Sequence, residues 1–155
     1  MLDKNGKEIK TGMIVKIEGA YFKNDNGVYL VTNSPKDPQW YGGYHSLRKI
    51  NRRTGALSTA KHNIGFWPVA CFTNSYETRR KCNEWNEEHA SIEVIEGVPL
   101  AQVTEYFEVA ASRAGDVKSD IIRRAGCMTA EASEFDRLMC FFLGIVEDLK
   151  KGGVR

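Results

Sequence analysis

Trp40, Tyr41, Tyr44, His45, Arg48, Lys49, Arg52 and Arg53 crowd into fourteen residues, and Lys61 and His62 follow a short way on. Aromatic faces stack on bases or sugars, and interleaved Arg and Lys neutralise phosphates; single-strand binders combine the two. A stacked base is worth about 1–3 kcal/mol, and each phosphate contact steepens the dependence on salt. Trp, Tyr and Arg also dominate the anchors of protein–protein interfaces, so the same residues suit a protein partner. Both uses compete with a plainer one. A small barrel needs large residues inside, which would claim at least one of Trp40, Tyr44 and Trp67, and Arg52-Arg53 suits a solvated turn.

The other reactive residue types do not form a catalytic constellation. Nothing in the spacing brings His45 or His62 to a nucleophile, and Ser46 beside His45 points to the opposite face of a strand. Cys71, Cys82, Cys127 and Cys140 include no C-x-x-C pair, from which a structural zinc would take two ligands on one turn. They also lack a nearby basic spacing of the kind that would flag a nucleophilic thiolate. Glu84, Glu87, Glu88 and His89 read as a solvated acidic helix face, with His89 turned about 100° from Glu88. Asn24-x-Asn26-Gly27 resembles the middle of a calcium loop, but its end positions fall on Phe22 and Asn33, so it reads as a turn. No Gly-rich phosphate loop or nucleotide fingerprint is present. This leaves no catalytic residue, metal ligand or cofactor to assign and points away from an enzyme.

The elements that must position the basic-aromatic residues divide the chain in two. Residues 1–70 hold 11 Lys and Arg against 5 Asp and Glu, and residues 71–155 hold 11 against 15. The first part is therefore +6 and the second −4, within a whole of +2. Such asymmetry is informative because fields are local, screened within about 10 Å in ordinary salt. The 155 residues, 42% hydrophobic and 27% charged, allow one domain, or one domain with an appendage, and a real core. The opening residues lack the apolar run of a secretory signal, and no window approaches 18 apolar residues. The expectation is a cytoplasmic protein with reduced, mostly buried thiols and no membrane contact.

In the basic part, Met13, Val15 and Ile17 alternate with Lys16 and Glu18, the period of a half-buried strand. Asn24-Asp25-Asn26-Gly27 supplies a turn, and Val28 to Thr32 a second strand. Trp40 to Asn51 reads as a long strand bent at Gly42-Gly43, followed by short strands at Ala56–Ala60 and Phe66–Val69, the last an edge because of Pro68. Five short strands in about 60 residues suggest a small barrel or roll. In the acidic part, Asn74-Ser75 starts a helix that runs to about Ala90. Residues 91–96 alternate and can return a strand to the barrel edge. Pro99 opens a helix to about Ala114, Gly115-Asp116 breaks it, and a short helix reaches Ala125 before Gly126. Thr129 caps a last helix whose Phe135, Leu138, Met139, Phe142, Val146 and Leu149 form an apolar stripe, ended by Gly152-Gly153. That stripe serves a core or a homodimer seam.

Lys10-Thr11-Gly12-Met13-Ile14-Val15-Lys16-Ile17 and Tyr21-Phe22-Lys23-Asn24-Asp25-Asn26-Gly27-Val28-Tyr29 resemble the opening of SH3-like barrels of the KOW type. In that pattern Gly, a hydrophobic residue and Val lead into a short basic-aromatic loop, then a Gly and a second strand. The resemblance implies that Gly27 permits the tight reversal and that Tyr21 to Lys23 form a loop of the kind that touches RNA or a protein partner. It covers about twenty residues, and Asp25 stands where the family usually carries Lys or Arg. The chain as a whole resembles small accessory proteins carried by bacterial mobile elements.

The reading is an α+β protein: a small SH3-like β-barrel over residues 1–72, then a helical region over 73–155 with an added strand at 91–96. Its expected role is non-catalytic. Tyr21, Lys23, Trp40, Tyr41, Tyr44, Arg48, Arg52 and Arg53 would present one barrel face to nucleic acid. The alternative is a protein-interaction or inhibitory accessory factor using that face or the last helix, as a monomer or helix-mediated homodimer.

Overall fold

The computed structural model describes residues 1–38, 43–51, 53–64, 68–69, 75–95 and 101–152. Five strands come first: β1 (Ile14–Glu18), β2 (Gly27–Asn33), β3 (His45–Ile50), β4 (Leu57–Ile64) and β5 (Pro68–Val69). Then come α1 (Tyr76–His89), β6 (Ser91–Ile95), α2 (Ala101–Ala125) and α3 (Ala130–Gly152). The protein is α+β. All the described strands belong to one antiparallel sheet of order β5-β4-β3-β2-β1-β6, with β6 returning to pair with β1. Among the described residues the sheet is open, its edges being β5 and β6.

Period-two alternation sends the side chains of each strand to two faces, and both faces are covered. On one face Val15, Ile17, Tyr29, Val31, Leu47 and Ile92 pack with Ile9 and Ala20. On the other, Ile14, Val28, Leu30 and Ile50 meet Val103 and Phe107 of α2 and Val146 and Leu149 of α3. Fully burying an aliphatic or Phe side chain is worth about 1.5–3 kcal/mol. The expected half-buried β1 is therefore buried on both sides at its start, where Ile14 is 1% exposed. Tyr29 and Phe107 are fully buried rings, and the Tyr29 hydroxyl donates to Asp25 O at 2.8 Å. Of the rings expected to fill the core, Tyr44 is exposed, and Trp40 and Trp67 lie outside the described residues.

The N-terminal turn is clasped to β6. Asp3 accepts backbone N–H groups from Asn5, Lys7 and Val94 at 2.9, 2.8 and 3.0 Å. Burial pushes its carboxyl pKa up, but these donors outweigh that and hold it below the usual carboxylate value. Ser75 caps α1, its Oγ accepting from Thr78 N, and Thr129 caps α3 by accepting from Ala132 N.

Two expectations are corrected. α2 does not break at Gly115-Asp116 but runs on to Ala125. Gly115 sits where α2 and α3 approach closely: a Cβ there would lie 3.1 Å from Met139 Sδ. The thiols are not mostly buried either. Cys82 is buried, Cys127 and Cys140 are exposed, and Cys71 lies outside the described residues. No described helix is long and apolar enough to cross a membrane.

Candidate functional site

Antiparallel order puts the β1–β2 and β3–β4 connections at one end of the sheet and the β2–β3 connection at the other. This divides the expected surface. Tyr21 and Lys23 stand in the β1–β2 connection and Arg53 in the β3–β4 turn, at the first end. Tyr44 precedes β3 at the opposite end; the six strand residues His45–Ile50, roughly 20 Å at about 3.3 Å per residue, lie between Tyr44 and the turn that carries Arg53. Arg48 lies mid-strand and faces the helices. Its guanidinium is 5.6 Å from the Tyr106 ring centroid, and its NH1 donates to Ser58 O at 3.0 Å. It does not join an outward face. Trp40, Tyr41 and Arg52 lie outside the described residues.

The first end is built by α1 docking on the β1–β2 connection. Gly19 adopts φ +72, and a Cβ there would stand 2.5 Å from His89 O, so the chain can pass only as glycine. Asn86 is fully buried; its Oδ1 accepts from Tyr21 N at 2.8 Å and its Nδ2 donates to Cys82 Sγ at 3.4 Å. Trp85 Nε1 donates to Gly19 O at 3.1 Å. A 3-10 turn (Lys23–Asp25) follows, and Asn26 Oδ1 accepts from Ala20 N at 2.9 Å. Buried Asp25 has its pKa raised by burial, with nearby Lys49 partly offsetting it.

These contacts assemble four rings. Tyr21 meets Phe22 edge-on at 5.0 Å and Trp85 at 6.4 Å, and Trp85 lies 4.1 Å from the His89 ring. Tyr21 is 41% and Trp85 45% exposed, so each shows part of a ring to solvent. Lys23 and Arg53 are exposed, and neither has an ion pair among the described residues. Lys49 extends to the same loop, with Nζ 2.5 Å from Asn24 O and 5.9 Å from the Tyr29 ring centroid. Elsewhere in the basic part Lys4 meets Glu93, Lys16 Glu18 and Lys36 Glu8, while exposed Lys7 has no ion pair among the described residues.

Trp85 and His89 are not among the expected binding residues. Their acidic neighbours Glu84, Glu87 and Glu88 make α1 read as a solvated face. The available signal is a lone Trp one helical turn before a His, i to i+4.

The opposite end holds a buried polar cluster. His45 Nδ1 is 3.1 Å from Ser34 Oγ, and Thr11 Oγ1 bonds both Ser34 Oγ and Asp37 Oδ2. Asp37 also accepts from Ser34 N at 2.6 Å, and burial raises its carboxyl pKa. Burial lowers the His45 pKa to about 4, so the ring is neutral at pH 7. Ser34 is 6% and His45 3% exposed, so their contact joins the end of β2 to the start of β3 inside the fold. No three His, Cys, Asp or Glu among the described residues are grouped to hold a metal.

Compared with known proteins, the chain matches no family model, no curated protein and no solved structure.

Proposed function

We propose that this is a non-catalytic binding protein whose loop end contacts single-stranded nucleic acid through Tyr21, Trp85, Lys23 and Arg53. The observation that carries the reading is local charge. Lys4, Lys16 and Lys36 are spent on the protein's own acids. Lys23 and Arg53, with no ion pair among the described residues, stand at the end that also exposes two rings. Rings supply sequence-tolerant stacking and available cations supply phosphate contacts, which is the division of labour in single-strand binding. We also read the sheet as an SH3-like roll of the KOW type. The order β4-β3-β2-β1-β6, with the last strand returning beside the first, supports that connectivity, as does Gly27 at φ +151 where β2 begins.

The second reading is a protein-partner surface on the same end. The Tyr21 and Trp85 rings cross at 71° instead of lying parallel, and Glu84 and Glu88 flank Trp85, features that suit a protein anchor. Fluorescence anisotropy with a labelled single-stranded oligonucleotide separates the two. The nucleic-acid reading requires binding in low salt that weakens steeply as salt rises. Trp85→Ala should weaken it by about 1–3 kcal/mol, the value of one stacked base. Absence of binding in low salt removes this reading and leaves the protein partner.

A further inference from the structure

The helical hairpin carries a feature that the loop end does not use. α2 and α3 hold the sheet through Val103, Phe107, Val146 and Leu149, near one end of the hairpin. Farther along, an open groove of about 590 Å³ runs between α2 and α3. Its α2 wall includes Glu105, Val109, Arg113 and Val117, and its α3 wall Phe135 and Leu138. Val109 is 42% and Val117 40% exposed. Glu105 and Arg113 are exposed and have no ion pair among the described residues, although neighbouring charges do: Lys118 with Asp136 and Lys150 with Glu108.

We propose that this groove is the self-complementary interface of a homodimer, in which α2 packs antiparallel against α2 of a second copy about a two-fold axis at Val109. Four-residue steps keep residues 105, 109, 113 and 117 along one side of a helix, each about 6 Å further on. Glu105 and Arg113 therefore flank Val109 symmetrically and carry opposite charge. Reversing a second copy about Val109 sets Glu105 against the partner's Arg113 and Arg113 against the partner's Glu105. Val109 then meets the partner's Val109 between two ion pairs. A parallel copy would set like charges against each other, so the charge pattern selects the two-fold arrangement that closed dimers use. Ala110, half-buried in the groove wall, is small enough to let two helix backbones approach.

Sedimentation equilibrium on the full chain over a wide concentration range tests this. The wild-type chain forms a reversible dimer. Glu105→Arg and Arg113→Glu each raise the dissociation constant by at least ~10-fold, as expected for losing complementary charge twice across the axis. Combining the two restores dimerisation, because the exchanged charges again face their opposites. All four proteins should share one circular-dichroism spectrum, since both positions are on the surface. Val109→Cys, with Cys71, Cys127 and Cys140 replaced by Ser, should form an interchain disulfide under a mild oxidant. A chain that stays monomeric at every concentration overturns the proposal and leaves the groove to another occupant. So does a dimer indifferent to the single reversals, a double variant that fails to recover, or a Val109→Cys chain that does not cross-link.

Discussion

At the scale of single residues, the fold depends on polar groups that sequence patterning cannot rank. His45 is the plainest case. Burial lowers its pKa from 6.5 to about 4, with the positive N-terminal amine acting in the same direction. The unfolded chain takes up a proton near pH 6.5, whereas the folded chain resists until about 4. The stability His45 allows is thus complete above pH 6.5 and is lost as pH falls from 6.5 towards 4, at up to about 1.4 kcal/mol per pH unit. Urea denaturation of wild type and His45→Asn across that range checks the sign. The wild type should lose stability faster on acidification, and parallel curves would contradict the assignment. Asp25, whose pKa burial raises, stands at the other end of the sheet, is present in both proteins and cancels in the difference. Asn86 supplies the link between fold and candidate surface, since its Oδ1 holds Tyr21 N. Asn86→Ala should cost about 1–3 kcal/mol by stranding that donor. It should also weaken oligonucleotide binding, because the loop that carries Tyr21 loses its tie to α1; unchanged affinity in the folded variant would contradict that link.

At the scale of elements, glycines test how closely the helices and strands approach one another. Gly144 lies within α3, and a Cβ added there would have nothing within 4 Å, so Gly144→Ala should stabilise by about 1 kcal/mol through propensity alone. Gly115→Ala has the same propensity gain, but its methyl would meet Met139 Sδ at 3.1 Å, so its gain should be smaller. Thermal denaturation of the two variants side by side measures the difference, and an equal gain would mean that the two helices do not approach as closely at Gly115. Gly19→Ala should be destabilising, since φ +72 is strained for alanine and His89 O stands 2.5 Å from the new carbon. The same contrast shows what can be read in advance. α3 is legible because its apolar stripe repeats at helical steps and Thr129 marks its start. The strands β1 and β2 are legible from alternation and from the turn at residues 24–27. The continuity of α2 is not, because what accommodates Gly115 is a methionine on another helix, outside any local window.

At the scale of the whole molecule, charge is legible as a total and misleading as a map. The +6 of residues 1–70 suggests one broad basic face. In the folded protein Lys4, Lys16 and Lys36 meet Glu93, Glu18 and Glu8, while Arg48 turns to Tyr106. Such exposed pairs contribute little to stability, about 0–1 kcal/mol each, but they remove cations from the surface available to a ligand. Only the antiparallel topology decides which of the remaining cations share an end with Tyr21 and Trp85, and topology follows from long-range pairings such as Ile14 with Ile95. If Lys23 and Arg53 are the phosphate contacts, the Lys23→Ala/Arg53→Ala double variant should flatten the plot of log affinity against log salt by about 1.4, at about 0.7 per contact on a single strand. An affinity loss without a change of slope would contradict a phosphate role. The most direct measurement is a backbone amide NMR titration with a single-stranded oligonucleotide in low salt. Binding at the loop end should concentrate the shifts in residues 19–26, 51–56 and 85–89; shifts confined to residues 34–38 and 44–46, or none at saturating oligonucleotide, would contradict it.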